Sequence, residues 1–192
     1  GFGDFSRTHA VAGRRAAVGG TTCCHGDERA AVTGEQTLRP ADASDSEAIL
    51  FVHVNAIVTH GPSAYTDRQV AAWAAKTEGT DRYVDAVSDP ATVLVVAEAD
   101  SRVIGFGELD VESGEVEAIF VDPEWDGRGI GSSILNHFEH RLADEGFDVV
   151  RLRAVLNAVG FYQQQGYEQD KQVTNTTTND VEVDSVWMEK PL

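Results

Sequence analysis

The residues best suited to chemistry in this sequence lie in one glycine-rich segment, VDPEWDGRGIGSSIL (121–135). A β-branched and aromatic run precedes the segment, and Gly127, Gly129 and Gly131 lead from it into an amphipathic stretch. Glycines permit positive φ angles and let a ligand approach the main chain closely. The N–H groups at the start of the following helix, from Gly129 to Ser132, lack intrahelical acceptors and suit an anion such as a diphosphate. The segment therefore predicts a phosphate-binding turn.

Two common kinds of phosphate-binding loop do not fit this segment. The dinucleotide fingerprint Gly-x-Gly-x-x-Gly requires a glycine where Ser132 stands, and it belongs to an early βαβ unit rather than to a turn that follows an antiparallel meander. A P-loop requires Gly-Lys-Ser/Thr, and the segment contains no lysine. The residues exclude both loops.

Two further groups of residues complete the set with chemical potential. The segment AVGFYQQQGY (158–167) places Tyr162 beside an aromatic partner, and Glu115 and Glu117 precede the glycine-rich segment. A spacing of two puts both glutamates on one face of a strand. A phenol and a carboxylate are suited to donating and accepting protons, respectively.

Together these segments resemble the acetyl-CoA signature of the GCN5-related N-acetyltransferases, the GNAT family. That family has a strand ending in Val-x-Pro, then Arg/Gln-x-x-Gly-x-Gly/Ala at a helix start, which residues 121–123 and 126–131 match except at Asp126. The family's later Ala-x-x-Phe-Tyr-x-x-x-Gly-Phe matches residues 158–167, with tyrosine for the last phenylalanine. The resemblance extends over residues 36–190. Asp126 stands where the family has Arg or Gln, so it opposes a diphosphate by like-charge repulsion.

The resemblance implies an acetyl-CoA-dependent N-acetyltransferase in which a primary amine attacks the thioester directly, in a ternary complex without a metal. It implies that Tyr162 donates a proton to the departing thiolate and that Glu115 or Glu117 takes the amine's proton. Main-chain groups of the strand before the turn are implied to pair with the pantetheine arm. The acetyl-CoA contacts implied by the family's motifs are Ile119, Phe120, Val121, Asp126, Gly127, Arg128, Gly129, Ile130, Gly131, Ser132, Asn157 and Tyr162.

Each implied role has a purely structural alternative. Tyr162 could pack its ring under the sheet, and the two glutamates could belong to a solvated acidic face. The segment YTDRQVAAWA (65–74) looks like the substrate-side helix of small-molecule members, which implies that Tyr65 and Trp73 line the acceptor pocket. Trp73 equally suits the core, and His60 suits an ordinary loop position.

The elements that must position these residues follow from periodicity and turn signals. Three β-rich runs joined by tight turns predict an antiparallel meander, and apolar residues at helical spacing follow the glycines. The predicted order β-α-α-β-β-β-α-β-α-β-β indicates an α/β domain with a mixed, mainly antiparallel sheet and helices on both faces. The predicted strands are 36–39, 91–99, 101–110, 115–121, 148–155, one from 166 and 181–190, and the predicted helices are 48–58, 67–76, 129–147 and 157–166, with helical turns within 78–88.

Composition bounds the class of protein. The formal net charge is −17, with 32 acidic residues against 15 lysines and arginines, which disfavours nucleic acid as a partner. The acidity predicts a halophilic, salt-loving enzyme, because at about 1 M salt the screening length is only about 3 Å and the acidic charge then repels an anionic cofactor much less. No apolar run reaches the ~20 residues of a membrane helix and no leader pattern is present, so the expectation is a cytoplasmic protein without a membrane partner.

Residues 1–34 predict a poorly ordered extension, and the acetyltransferase domain is expected to occupy residues 35–192. Cys23 and Cys24 are adjacent and followed by His25, which is not the spacing of a metal site. The leading hypothesis is an N-acetyltransferase acting on a small-molecule, peptide or protein amine. The alternatives are a non-catalytic acyl-CoA-binding or sensing module and an enzyme for longer acyl chains. Family members are often dimers, so the resemblance allows a homodimer.

Overall fold

The computed structural model describes residues 36–75, 79–176 and 180–192 of the 192-residue chain. The predicted extension (1–34) and the Cys23–Cys24–His25 group lie outside these residues. Seven strands form one sheet in the order β1-β2-β3-β4-β5-β7-β6, in which the β4–β5 pair is parallel and the other pairs are antiparallel. The strands are β1 Thr37–Pro40, β2 Thr92–Ala99, β3 Arg102–Asp110, β4 Glu115–Val121, β5 Val149–Val155, β6 Glu168–Thr176 and β7 Glu182–Pro191.

Five α-helices accompany the sheet in the described residues, and they cover both of its faces. Side chains alternate along β2, so Val95 and Ala97 pack with helix α4, whereas Leu94 and Val96 pack with helices α1 and α3. The helices are α1 Ser46–His60, α2 Asp67–Ala75, α3 Asp81–Ser88, α4 Ile130–Glu145 and α5 Val159–Gln164. None of these described helices combines the length and the apolar character that crossing a membrane requires.

The predicted fold class is confirmed, with differences at particular elements. The polar stretch before β2 forms a regular helix, α3, because Tyr83 and Ala86 bury one face of it against the sheet. Helix α1 continues to His60, so this histidine ends a helix instead of lying in a loop. The predicted helix 157–166 divides into a 3-10 turn, Leu156–Ala158, and the short helix α5.

Close packing of α4 on β3 depends on one glycine. A Cβ atom at Gly107 would lie 2.4 Å from Ile134 Cγ2 and 2.7 Å from Phe138 Cε2. Both of these α4 side chains are fully buried in the core on this face of the sheet. The missing side chain at Gly107 therefore lets the helix lie near the strand and fixes the position of its N-terminus.

The sheet opens between its two parallel strands. Strands β4 and β5 pair only at Glu115–Arg151 and Val116–Leu152. Beyond this point residues 119–121 keep their partners on β3. In the described part of the chain their other edge has no strand partner. A cleft therefore begins in the middle of the sheet, next to the glycine-rich turn that follows β4.

Candidate active site

A cavity of about 550 Å³ occupies the cleft between β4 and β5. This volume lies in the range of sites for small molecules and cofactors. Residues 119–121 line one wall, and Val155 and Asn157 line the wall that begins at the end of β5. The glycine-rich turn closes one end, and helices α1, α2 and α5 contribute further side chains.

The glycine-rich turn has the geometry of an anion site. Gly127 and Gly129 have φ angles of +71° and +79°, and a Cβ atom at either position would have open space within 4 Å. Helix α4 begins at Ile130, and its first hydrogen bond to the turn runs from Ser133 N–H to Gly129 O. Among the described residues, the N–H groups of residues 127–132 have no acceptor. All of these residues except Arg128 line the cavity, so their amides are available to an anionic ligand.

The turn is held by the buried carboxylate of Asp122. This side chain is fully buried, accepts a hydrogen bond from Glu124 N–H and receives Arg102 Nη2 at 2.6 Å. The N–H of Asp122 donates to Ile104 O on β3. A charge-assisted bond and a cap thus fix the chain between β4 and the glycines, so that the amides are set before a ligand binds.

Tyr162, on helix α5, lines the cavity and is 7% exposed. Its ring packs edge-on against Phe161 and Tyr167. Its hydroxyl makes no hydrogen bond to another described residue. Burial raises the pKa of the Tyr162 phenol above its ordinary value, so the group keeps its proton throughout the neutral range. Tyr162 is thus both a packing residue and a proton-bearing donor at the cavity.

The two predicted glutamates lie outside the cavity lining. Arg153 of β5 donates to Glu115 at 2.9 Å and to Glu117 at 3.4 Å, and its guanidinium lies over the ring of Trp187. Burial, and next the charge of Glu115, raise the pKa of the Glu117 carboxyl. The structure thus brings both carboxylates together on one cation where β4 and β5 separate.

A bulge explains how β4 presents these carboxylates. Glu108 is paired with Ala118 and Leu109 with Val116, so Glu117 is an extra residue without a partner on β3. The extra residue reverses the alternation of the strand. Val116 therefore packs on the α4 side, whereas Ala118 and Phe120 pack on the α1 side.

The two predicted acceptor residues occupy different positions. Trp73 lines the cavity and its ring lies 6.3 Å from that of Phe120. Tyr65 is buried in a small core and does not line the cavity. Its hydroxyl donates to Asp184 O and accepts from Leu156 N–H at 2.9 Å, so it joins β7 to the turn after β5.

A histidine at the end of α1 meets the glycine-rich turn. His60 Nε2 lies 3.1 Å from Asp126 Oδ2, and both residues line the cavity. Arg128, by contrast, lies outside the lining, with its guanidinium 4.4 Å from the centre of the Trp125 ring. Sequence reasoning missed the His60–Asp126 contact, because nothing in either local pattern signals a contact across this distance in the chain.

A second histidine of α1, His53, is also absent from the predicted site. It is buried, its Nδ1 lies 2.6 Å from Tyr83 Oη, and its ring contacts Phe106 and Phe120. Burial lowers the pKa of His53 to about 3, so the ring is neutral near pH 7. The His53 ring therefore packs against Phe120, a residue that lines the cavity. Within residues 36–75, 79–176 and 180–192, no three His, Cys, Asp or Glu side chains form a group that could hold a metal ion.

Comparison with known proteins gives this geometry a family context. The profile of the acetyltransferase (GNAT) domain matches residues 62–189. A mycothiol acetyltransferase from Clavibacter sepedonicus is 40% identical over 74 residues, which cover 38% of this chain and 24% of that protein. The aligned part of the chain thus spans about a quarter of the length of this curated relative.

Two solved structures share the fold over most of their length. A GCN5-related N-acetyltransferase from Rhodopseudomonas palustris superposes with a TM-score of 0.76 at 22% identity, covering 81% of this chain and 95% of that chain. The PaiA N-acetyltransferase from Thermoplasma acidophilum, solved in complex with coenzyme A, superposes with a TM-score of 0.67 at 22% identity. The match covers 82% of this chain and 99% of that chain.

Proposed function

Because the chain belongs to the GNAT acetyltransferase family, we propose that it transfers the acetyl group of acetyl-CoA to a primary amine. The observation that carries the proposal is the cavity itself, in which the splayed edge of β4, the free amides of the glycine-rich turn and Tyr162 meet. An acyl-CoA needs an anion site, a slot for its pantetheine arm and a donor near its sulfur, and this cavity offers one candidate for each.

The donor would lie along the cleft. The N–H groups of residues 129–132 would donate hydrogen bonds to the diphosphate at the start of α4, where the helix dipole adds to their attraction. Residues 119–121 would pair with the pantetheine arm through their free backbone edge, as an added strand does. Asn157 borders the same slot from the β5 side. A glycine at position 131 suits this arrangement, because a Cβ there would lie 3.3 Å from the ring of Phe161.

The reaction then needs a hydrogen-bond donor for the departing thiolate and an acceptor for the amine's proton. The amine nitrogen forms a bond to the carbonyl carbon, the carbon–sulfur bond breaks, and coenzyme A leaves as a thiolate. A thiolate's conjugate acid has a pKa of about 8.5, below that of a buried phenol, so Tyr162 stabilises the thiolate mainly by donating a hydrogen bond. The amine's proton passes to Glu117 or Glu115, and a water carries it because neither carboxylate lines the cavity.

Of the two carboxylates, Glu117 is the better base. Its pKa is raised by burial and by Glu115, and its bond to Arg153 is the longer one at 3.4 Å. A carboxylate whose pKa is closer to neutral takes a proton more readily in the transition state. Glu115, with the shorter bond to Arg153, holds that cation beside the base.

A screen of acceptor amines tests this proposal. The purified protein should be given acetyl-CoA with a panel of small-molecule amines, peptide N-termini and lysine side chains. Thiol release would measure turnover, and mass spectrometry would identify the acetylated product. We expect release that depends on the amine and saturates with it. Release that is the same without an amine would indicate thioester hydrolysis and would contradict the proposal.

A non-catalytic acyl-CoA-binding module is the second candidate. Two observations favour it: Asp126 stands at the family's Arg/Gln position, and Arg153 neutralises both candidate bases. The same panel separates the two functions. Coenzyme A binding by calorimetry with no turnover on any amine would support the binding module.

A further inference from the structure

The end of the cavity at the glycine-rich turn contains one histidine–carboxylate pair. Asp126 immediately precedes Gly127, and its carboxylate lies 3.1 Å from Nε2 of His60. The two side chains come from different elements, since His60 ends α1 and Asp126 follows the short turn after β4. Both line the cavity and both stay partly open to solvent, at 39% and 50% exposure.

This pair bears on how an acidic protein could bind an anionic diphosphate at this site. A diphosphate is anionic, the chain carries a net charge of −17, and Asp126 adds a negative charge where the turn offers its amides. Among the described residues that line the cavity, His60 is the one whose side chain can become positively charged. The nearby Arg128 guanidinium is stacked on Trp125 outside that lining.

We infer that His60 is a phosphate-binding residue of this site, with Asp126 holding its imidazole in place. The inference rests on the proposed acyl-CoA donor. Asp126 accepts a hydrogen bond from Nε2–H, which leaves Nδ1, with no partner among the described residues, to donate to a diphosphate oxygen. An imidazole that donates from both nitrogens is a cation, so in the bound complex the pair places a positive charge between Asp126 and the diphosphate.

The geometry also gives Asp126 a role that depends on His60. With His60 present, the carboxylate is compensated and orients the ring. Without His60, the same carboxylate stands uncompensated beside the free amides and repels the diphosphate. The two residues should therefore be strongly non-additive in donor binding.

The test is a double-mutant cycle on coenzyme A affinity, measured by titration calorimetry at about 0.1 M ionic strength, where surface charges still act over about 10 Å. His60→Ala should weaken coenzyme A binding by about three- to tenfold, the range for a partly exposed charge-assisted contact. Adding Asp126→Asn to His60→Ala should recover most of that loss. His140→Ala is the matched control, because His140 is an exposed histidine bonded to Asn136 O of its own helix, and it should leave the affinity unchanged.

A second arm uses pantetheine, which lacks the phosphates. His60→Ala should leave pantetheine binding unchanged, and an equal loss for both ligands would overturn the phosphate contact. Equal coenzyme A affinity in wild type and His60→Ala would also overturn it, and so would an unchanged affinity with a lower kcat.

If His60→Ala melts early, His60→Gln replaces it, since it can still bond Asp126 but carries no charge. Wild-type protein that does not bind coenzyme A would overturn the proposed function as well, whereas binding that ignores His60 overturns this inference alone.

Discussion

At the scale of single residues, the proposed mechanism gives one role to Tyr162 and another to Glu115 and Glu117, the two glutamates bonded to Arg153. Tyr162 keeps its proton because burial raises its pKa, while Glu117 becomes a better base for the same reason. Burial disfavours the charged form of both groups, so one physical cause favours a protonated phenol as hydrogen-bond donor and a carboxylate that accepts a proton more readily. Tyr162 lies on α5 and Glu117 lies on β4, two elements that meet at the cleft.

The prediction at this scale concerns the phenol of Tyr162. Tyr162→Phe should lower kcat by roughly ten- to a thousandfold, because the leaving thiolate loses its donor. Coenzyme A affinity should stay within about twofold, since the ring that packs against Phe161 and Tyr167 is kept. Steady-state kinetics on an amine from the panel and calorimetry measure the two quantities.

Tyr167→Phe is the matched control for this substitution. Tyr167 is the neighbouring buried tyrosine, and its hydroxyl donates to Glu139 outside the cavity. Its loss should lower the melting temperature and leave kcat unchanged. A kcat that falls equally in both variants would remove Tyr162 from the mechanism.

At the scale of elements, helix α4 has glycines in the left-handed region at both ends. Gly129 at the start has φ +79° and Gly146 at the end has φ +90°, and a Cβ at either position would have open space. Replacing either by alanine carries a similar backbone penalty of about 1–2 kcal/mol. The two ends differ in one respect: Gly129 borders the cavity.

This symmetry gives a prediction with its control on the same helix. Gly129→Ala and Gly146→Ala should each lower the free energy of unfolding by about 1–2 kcal/mol, measured by urea denaturation. Gly129→Ala alone should weaken coenzyme A binding, by about tenfold or more, because the strained turn moves the amides that receive the diphosphate. Equal affinity in the two variants would show that the turn does not bind the diphosphate.

At the scale of the whole molecule, one sheet separates two cores that share the strands of the site. His53 belongs to the α1 side, where it bonds Tyr83 and packs against Phe106 and Phe120. The positive charge of Arg82 adds to the lowering of the pKa of His53 after burial. Protonating His53 therefore opposes folding of the whole domain. The acidic surface and its effect in molar salt remain a prediction at this same scale.

The prediction at this scale is a pH dependence of stability. His53 has a pKa of about 3 in the folded protein against 6.5 for an ordinary histidine, so as the pH falls below 6.5 the unfolded chain binds a proton that the folded protein does not bind. The stability contributed by neutral His53 is complete above pH 6.5 and is lost progressively down to pH 3. Between pH 7 and pH 5 the free energy of unfolding should fall by about 2 kcal/mol.

Comparing wild type with His53→Gln checks this origin. Glutamine can still accept from Tyr83 but does not titrate. The slope of unfolding free energy against pH should therefore flatten in the variant, even though its absolute stability is lower. The carboxyl of Asp45, whose pKa is lowered by its bonds to Arg39, is present in both proteins, so its effect cancels in the comparison. Parallel slopes in the two proteins would show that His53 is not the cause.

The sequence by itself determined the elements, the meander and the glycine-rich turn. These depend on local causes: alternation along 115–121, helical spacing after Gly131, and glycines where the chain needs positive φ. The family pattern added Tyr162 as a candidate, because a motif of fixed spacing survives in one short segment. The order of elements then made the fold class predictable.

Only the tertiary structure decided which residues meet. Four features depend on segments that lie far apart in the chain: the separation of β4 and β5 after two pairs, the bulge at Glu117, the cation Arg153 shared by two glutamates, and the His60–Asp126 contact. Strand register and the packing of α1 on the sheet are set by the sum of many weak contacts. The periodicity of a single segment cannot predict that sum. The chemistry of the turn could therefore be read in one segment, whereas the charge balance of the cavity required the fold.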